Sequence, residues 1–380
     1  NSGGNLVNRG PAYTEFSLYA QLTDEGTLEL VNHLDIDLGN SPEQILTNLQ
    51  QVNFSTEDLP PSNRLASDGK YKERVRDVNA STPSRYNADK RRLYESSGCA
   101  GKIAVFAVRL DTFEKPKTEK VFYVGTNDPK QLTIIRKKVM ANFSKLPDMG
   151  EYIHRSYFDG SDRYCKDTFL FIKYFGTTFL PKLFSFKARV DRILCRLPLI
   201  PKHVSDKILQ YLANLWPNHL PKRLREYRDL YEHHLMIVSS DAVIEDTEKL
   251  LRHHFNDPKA GSYIQCSESE GTAAKLHRFV AGGAIARYQI LNEEESGGLL
   301  PLDIALPRNF ENWHNMLGED ILEHLLASFR LSHFFCMVFH WDFVVKKGVS
   351  LKEVKEKILK TLDECGAKYP AEHNVGHLYK

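Results

Sequence analysis

Two glycine-bearing segments stand where a phosphate or a flat ligand could meet backbone N–H groups. Ser96-Ser97-Gly98-Cys99-Ala100-Gly101-Lys102 runs directly into the apolar stretch Ile103-Ala104-Val105. Small residues ahead of a buried strand let a planar molecule approach the main chain, with N–H donors facing it; the same spacing also serves a plain tight turn into the strand. Asn1-Ser2-Gly3-Gly4 is a shorter loop that could offer N–H groups to an anion or simply turn the chain. A different chemistry lies at 173–229, where twelve Lys/Arg stand against four Asp/Glu, net +8 in a chain whose total is +2. Leu183, Phe186, Val190, Ile193, Leu194 and Leu197 recur there at helical spacing between Lys187, Arg189, Arg192 and Arg196. A second stripe follows in Val204, Ile208, Leu212, Leu215 and Trp216. Basic amphipathic helices of this kind suit an anionic lipid surface, where each cation contributes about 1 kcal/mol. An ordinary helical subdomain with a solvated basic face has the same pattern. Nucleic acid fits less well, because the cations flank aliphatics rather than stacking aromatics.

The elements that hold these segments read as α+β. The 380 residues, 42% hydrophobic and 26% charged, suffice for a real core in two or three domains. A mean hydropathy of −0.42 excludes a polytopic membrane protein, and the apolar stretch His333–Val345, broken by His340 and Asp342, is too short to span a bilayer. The six cysteines lack any CxxC and lie at least 29 residues apart, which points to a reducing compartment and away from a thiolate zinc site. The start at Asn1, without Met or an apolar leader, reads as that of a fragment. Alternating runs at 16–22 and 28–31 predict a hairpin, Ser41-Pro42 opens a helix to about Gln51, 52–92 is a turn-rich excursion, and Ile103–Leu110 is a buried strand. From about 121 strand–helix–strand units recur: 121–124 with a helix from Asp128-Pro129 to about Phe143, then 234–238, 241–254 and 262–265. A last strand, Phe334–Val345, precedes a helix capped at Ser350 and Glu353. Such units with helices on one side of a sheet predict a ferredoxin-like domain.

Three segments, Asn1–Pro11, Arg85–Lys102 and Ala371–Lys380, closely resemble the bacterial membrane-associated, FAD-dependent respiratory D-lactate dehydrogenases, and the resemblance spans essentially the whole chain. It implies a flavin domain of the vanillyl-alcohol-oxidase (PCMH) type, a cap over the flavin and a basic membrane-binding segment, with both ends of the protein extending further. By that analogy residues 1–111 and 364–380 belong to the flavin domain. The cap comprises 112–153, 231–269 and 294–363, and the membrane element 154–230 with a small piece at 270–293. The resemblance implies oxidation of D-lactate to pyruvate through FAD, electrons passing to a membrane quinone, and a peripheral position on the cytoplasmic side of the inner membrane. It places Gly3 in the pyrophosphate loop and Val105 in the strand whose backbone meets the flavin, a contact extended here to Ser97, Gly98 and Gly101.

Lactate oxidation needs a cation for the carboxylate and a base for the hydroxyl proton, while hydride goes to the flavin. Histidine suits the base, with an ordinary pKa near 6.5. Glu372-His373 is the pair favoured for the base: it resembles the Glu-His-Gly motif of 2-hydroxy-acid flavin dehydrogenases, where the His lies by the substrate, with Asn374 in place of Gly. Some relatives hold a divalent metal on His-x6-His and that Glu. His333, His340 and Glu372 share the spacing, but 334–339 lack the Gly-Asp-Gly-Asn turn, and positions seven apart in a regular strand face opposite ways, so convergence would need a bulge. No metal is therefore assigned, and His340 is expected to line the substrate pocket. Arg278 is preferred over Arg287 and Arg308 for the carboxylate. A metal-assisted dehydrogenase of glycolate or D-2-hydroxyglutarate is the alternative.

Overall fold

The computed structural model describes residues 7–10, 15–55, 57, 66–87, 89, 91, 96, 103–197, 200 and 203–372. The first part of the chain contributes strands β1 (Ser17–Leu22) and β2 (Leu28–Asn32), helices α1 (Pro42–Gln51) and α2 (Tyr71–Arg76), and strand β3 (Ile103–Val108). They form a three-stranded antiparallel sheet in the order β2-β1-β3. The expected hairpin and first helix are present, with the Ser41 side chain accepting from the Gln44 N–H. The strand expected to be buried over Ile103–Leu110 ends at Val108 and stays largely uncovered, Val105 being 44% and Phe106 51% exposed. Among the described residues β3 is an edge of the sheet, paired with β1 alone, so an apolar run was not enough to bury it.

A larger sheet follows. β4 (Glu119–Thr126), α3 (Pro129–Asn142) and β5 (Met149–His154) lead into helices α4 (Arg155–Tyr164), α5 (Lys166–Phe175), α6 (Leu180–Leu194), α7 (Val204–Leu215) and α8 (Lys222–Leu230). Then come β6 (His233–Ser240), α9 (Val243–His254), β7 (Ser262–Gln265), α10 (Glu268–Val280), α11 (Ala284–Leu291) and β8 (Ser296–Ala305). The chain ends in α12 (Glu319–Leu322), β9 (Leu325–His333), β10 (Val338–Lys346) and α13 (Leu351–Glu364). Seven strands pair antiparallel in the order β7-β4-β6-β5-β9-β10-β8. Within it β4, β5, β6 and β7, with α3 and α9 as crossovers, make the expected β-α-β-β-α-β unit.

Helices cover both faces of this sheet, where one covered side had been expected. Ile135 and Val139 of α3, Leu251 of α9 and Ile358 of α13 pack on Phe122, Ile237, Phe339 and Phe343. Tyr157 and Phe158 of α4, Phe169 of α5, Leu224 of α8 and Ile285 of α11 pack on Tyr123, Met236, Phe329 and Val344. The strands explain this: β4 is buried continuously from Val121 and β6 throughout, so neither face is built for water. The expected last strand, Phe334–Val345, is instead a 3-10 turn at Phe334–Cys336, Met337 at φ 57° and then β10. β9 and β10 are thus a hairpin. The five described cysteines form no disulfide among the described residues.

Candidate functional site

Strand register gathers the chemistry-bearing side chains on one face of the sheet. His333 ends β9 opposite Val338 of β10, and His340 stands two residues further along β10 on the same face. Their rings lie 5.0 Å apart, nearly perpendicular at 87°. The seven-residue spacing therefore converges across a turn, and the bulge expected for a single strand is not needed. Glu151 of β5 sits opposite His333 and Asp303 of β8 opposite His340. His333 Nδ1 is 2.9 and 3.0 Å from the Glu151 carboxylate oxygens; His340 Nδ1 is 3.6 Å from Asp303 Oδ1. Arg278 reaches in from α10 and pairs with Glu151 at 3.0 Å.

Glu372 arrives from the segment after α13. An Ala305–Lys368 bridge and the bond from the Ala371 N–H to the Asp303 carbonyl, 3.0 Å, lay this segment along β8. The Glu372 N–H then donates to the Asp303 carboxylate. The Glu372 carboxylate pairs with the buried Arg85 guanidinium, and its other oxygen lies 3.5 Å from His333 Nε2 and 3.6 Å from His340 Nε2. Asn87 donates to the Glu372 carbonyl.

The two histidines are driven apart electrostatically. Burial alone would lower the His333 pKa, but the Glu151 carboxylate and its hydrogen bond overcome it and raise the pKa to about 9. Burial, with the neighbouring His333 cation, lowers His340 to about 4. Burial would raise Glu372, yet Arg85 and the two imidazoles hold it well below the carboxylate range. Near pH 7 the cluster thus carries a cationic His333, a neutral His340 and an ionised Glu372, with Arg278 beside them. A neutral imidazole can take a proton while adjacent cations attract a carboxylate. His333, His340 and Glu372 also present one ligand atom each, all within 4.8 Å of one another, a set able to hold a divalent metal.

Residues 121–380, which carry most of this cluster, match the family described as "D-lactate dehydrogenase, membrane binding". The chain belongs to this family. Similar curated proteins include the quinone-dependent D-lactate dehydrogenases of Escherichia coli (strain K12) and Haemophilus influenzae, each 49% identical over 380 residues. That of Corynebacterium glutamicum is 41% identical over 381 residues. All of this chain is covered in each case, against 66%, 67% and 66% of the relatives, so it spans about two thirds of their length. A solved structure of p-cresol methylhydroxylase with substrate bound overlays 94% of this chain and 57% of its own at 11% identity and a TM-score of 0.40, a likeness too slight to argue from. No helix among the described residues is long and apolar enough to cross a membrane.

Of the expected site residues, His340, Glu372 and Arg278 come together. Val105 lies apart on the exposed face of β3. Gly3, Ser97, Gly98, Gly101 and His373 lie outside the described residues. Arg287 is engaged by Asp167 at 2.7 Å and Arg308 by Thr82 at 2.8 and 2.9 Å, which favours Arg278. Sequence reasoning missed Glu151, Asp303 and Arg85 as site residues. Glu151 left one trace in the sequence, an acid beside the apolar pair Tyr152-Ile153; in the structure it is 3% exposed, a position that demands a cationic partner.

Proposed function

We propose that this chain is the larger part of an FAD-dependent enzyme that oxidises D-lactate to pyruvate and passes the electrons to a membrane quinone. The observation that carries the reading is the convergence of His333, His340 and Glu372 on one sheet face, with Arg278 alongside. Arg278 and the His333 cation attract the substrate carboxylate, and neutral His340 takes the hydroxyl proton. Glu372 stabilises the imidazolium that results and holds both rings in place. His373, next to Glu372, is the other candidate base. FAD, when bound, supplies the acceptor for the hydride. The exposed apolar side chains of β3, Val105 and Phe106 among them, suit the cover of a flat ring, and Gly3, Ser97, Gly98 and Gly101 are the other residues proposed to meet it.

We place the flavin domain at 1–111 and 364–380, and the cap at 112–153, 231–269 and 294–363. The element at 154–230 and 270–293 then seats the protein on an anionic phospholipid surface, on the cytoplasmic face of the inner membrane. Support comes from α6, which has no buried residue at all, and from Phe184 and Phe186, 54% and 67% exposed.

The test is anaerobic bleaching of the flavin in the full-length, detergent-purified protein by D-lactate, L-lactate, glycolate or D-2-hydroxyglutarate. D-lactate is expected to bleach fastest, and His340→Gln to slow bleaching by roughly 10²–10⁴-fold. Equal rates in His340→Gln would remove that residue as the base, and no bleaching by D-lactate would sink the reading. A second reading, metal-assisted oxidation of another 2-hydroxy acid, rests on the convergence of His333, His340 and Glu372. Loss of bleaching with a chelator, and a preference for that other acid, would favour it.

A further inference from the structure

Helices α5, α6 and α7 enclose a cavity of about 620 Å³ that the His333–His340–Glu372 chemistry does not use. Its volume falls in the range of small-molecule sites, roughly 300–1,000 Å³. The walls are Phe171 and Phe175 of α5, Leu183 and Phe184 of α6, and Leu209 of α7 with Trp216 beyond it. These side chains are not spent on one another. Phe171 and Phe175 lie ring to ring at 5.2 Å, yet Phe175 is 63% and Trp216 42% exposed. Apolar surface held open in this way costs free energy that burial under a ligand recovers.

The charges around the cavity cancel in pairs. Arg287 of α11 holds Asp167 at 2.7 Å, and Lys187 holds Asp191 and Asp206 at 2.8 Å each. Lys173 has no such partner within 4 Å among the described residues, and it stands in solvent with its ammonium 5.7 Å from the Tyr174 ring. No buried cation is left for a carboxylate or a phosphate. The polar groups still free are neutral: the Trp216 indole N–H and the Asn218 side-chain amide make no hydrogen bond among the described residues. Indole only donates, and the amide has two N–H donors of its own. The cavity therefore suits a neutral, largely apolar molecule that carries acceptors.

Its place in the fold narrows the choice. His340 faces Leu331, which belongs to the same packed layer as Phe169 of α5, so the cavity lies on the His333–His340 side of the sheet. The Phe169 ring is 4.5 Å from that of His219, which backs the cavity. His219 is 6.5 Å from His277, the residue before Arg278 in α10. The opposite wall is α6, the helix with no buried residue.

We propose that this cavity is the seat of the membrane quinone, its ring against Phe175 and Trp216, a carbonyl oxygen on the Trp216 N–H, and its isoprenoid tail leaving along α6 toward lipid. The inference rests on the D-lactate and quinone reading and names the acceptor's place within it. A benzoquinone is neutral, flat and apolar, with carbonyl acceptors and no donor. D-lactate gives up two electrons and two protons in becoming pyruvate, and the quinone takes up two of each in becoming quinol, so the exchange closes without a further reactant.

The test uses the full-length protein in detergent, where attachment to a bilayer plays no part, with a ubiquinone bearing one isoprene unit as acceptor. Phe175→Ala and Trp216→Ala should each raise the KM for this quinone about tenfold, as loss of a ring from an apolar seat does. Trp216→Phe, which keeps a ring and loses the N–H, should raise it less. Bleaching of the flavin by D-lactate, and turnover with ferricyanide, an acceptor that needs no apolar seat, should keep their rates. Exposed positions leave the melting temperature in place; if the alanine variants melt early, Trp216→Phe carries the test. Binding is also read without turnover. Of the three tryptophans in these 380 residues, Trp313 and Trp341 are each 2% exposed, so the quinone should quench Trp216 saturably and Trp216→Phe should remove that component. The quench does not require D-lactate, so a failure of the D-lactate reading is told apart from a failure of this one. A quinone KM indifferent to all three substitutions, or a quench that never saturates, overturns the proposal. A quench reversed by oleate, with the quinone KM unmoved by the substitutions, gives the cavity to a lipid chain and overturns it as well.

Discussion

The hairpin Leu325–Lys346 and the helix Leu180–Leu194 are both rich in large apolar side chains, yet they end in opposite environments. Phe329, Phe334, Phe335, Phe339 and Phe343 of the hairpin are all at most 5% exposed. The helix buries nothing, and Phe184, Phe186 and Ile193 are more than half exposed. The hairpin lies between two helical layers that accept its side chains from both faces. The helix touches mainly its neighbour Val204–Leu215, through contacts such as Lys187 with Asp206 at 2.8 Å. An isolated helix of this length is marginal in water. Apolar content thus reports burial, but not where the partner is: the hairpin's partner is this chain, and the helix's partner, on the function proposed above, is a lipid surface.

Truncation should separate the two regions most sharply. Phe343→Ala, at a fully buried ring, is expected to cost roughly 3–5 kcal/mol of unfolding free energy. Phe186→Ala, 67% exposed, should stay within about 0.5 kcal/mol while weakening binding to anionic vesicles. Denaturant midpoints and vesicle sedimentation read the two effects. Equal destabilisation by both changes would mean that the helix packs within the protein and that the contrast is false.

The histidines sharpen the contrast, because those of the sheet domain couple its burial to pH. His333 holds its proton to about pH 9 when folded, against about 6.5 unfolded. Its contribution is therefore complete below about pH 6.5 and fades as pH rises toward 9. Burial acts the other way on His219 and His340, each lowered to about 4, and on His234 and His277, lowered to about 3. The unfolded chain takes protons that the folded one refuses, so stability should fall as pH drops below about 6.5. His333→Gln should flatten the alkaline limb, by roughly 1–3 kcal/mol, and ease the acid limb in part, because the His333 cation helps to lower His340. An unaltered alkaline limb in denaturation at stepped pH would show that the Glu151–His333 pair does not titrate in this way.

How much could be read beforehand follows the same divide. Cap residues and periodicity placed Pro42–Gln51, Pro129–Asn142 and Leu351–Glu364 because Ser41, Asp128 and Ser350 each accept from the first turn. The basic stripes at 180–215 were legible because nothing in the fold alters an exposed amphipathic pattern. The hairpin turn was not, since Phe334-Phe335-Cys336-Met337 carries no Gly, Pro or Asn and relies on Met337 at φ 57°. His340, Glu372 and Arg278 could be named from residue type together with the family resemblance, whereas the places of Glu151 and Asp303 beside the histidines became visible through strand register. Register is a property of paired strands, and neither sequence segment contains it alone.

The smallest expected effect tests the charge side of the comparison. Lys187 is neutralised by Asp191 and Asp206, both at 2.8 Å. Arg189, Arg192 and Arg196 have no carboxylate within 4 Å among the described residues. If the helix meets an anionic surface, the unpaired cations carry the attraction, at about 1 kcal/mol each, and Arg192→Gln should lower the vesicle partition coefficient by roughly fivefold. Arg252, paired with Glu248 on a helix of the sheet domain, should change nothing when made Gln. The fivefold loss must also shrink as salt is raised, since exposed charges are screened within about 10 Å at 0.1 M. A partition that ignores both Arg192 and salt would leave the exposed rings of Phe184 and Phe186 as the whole of the contact, and would make the basic stripe a solvated face.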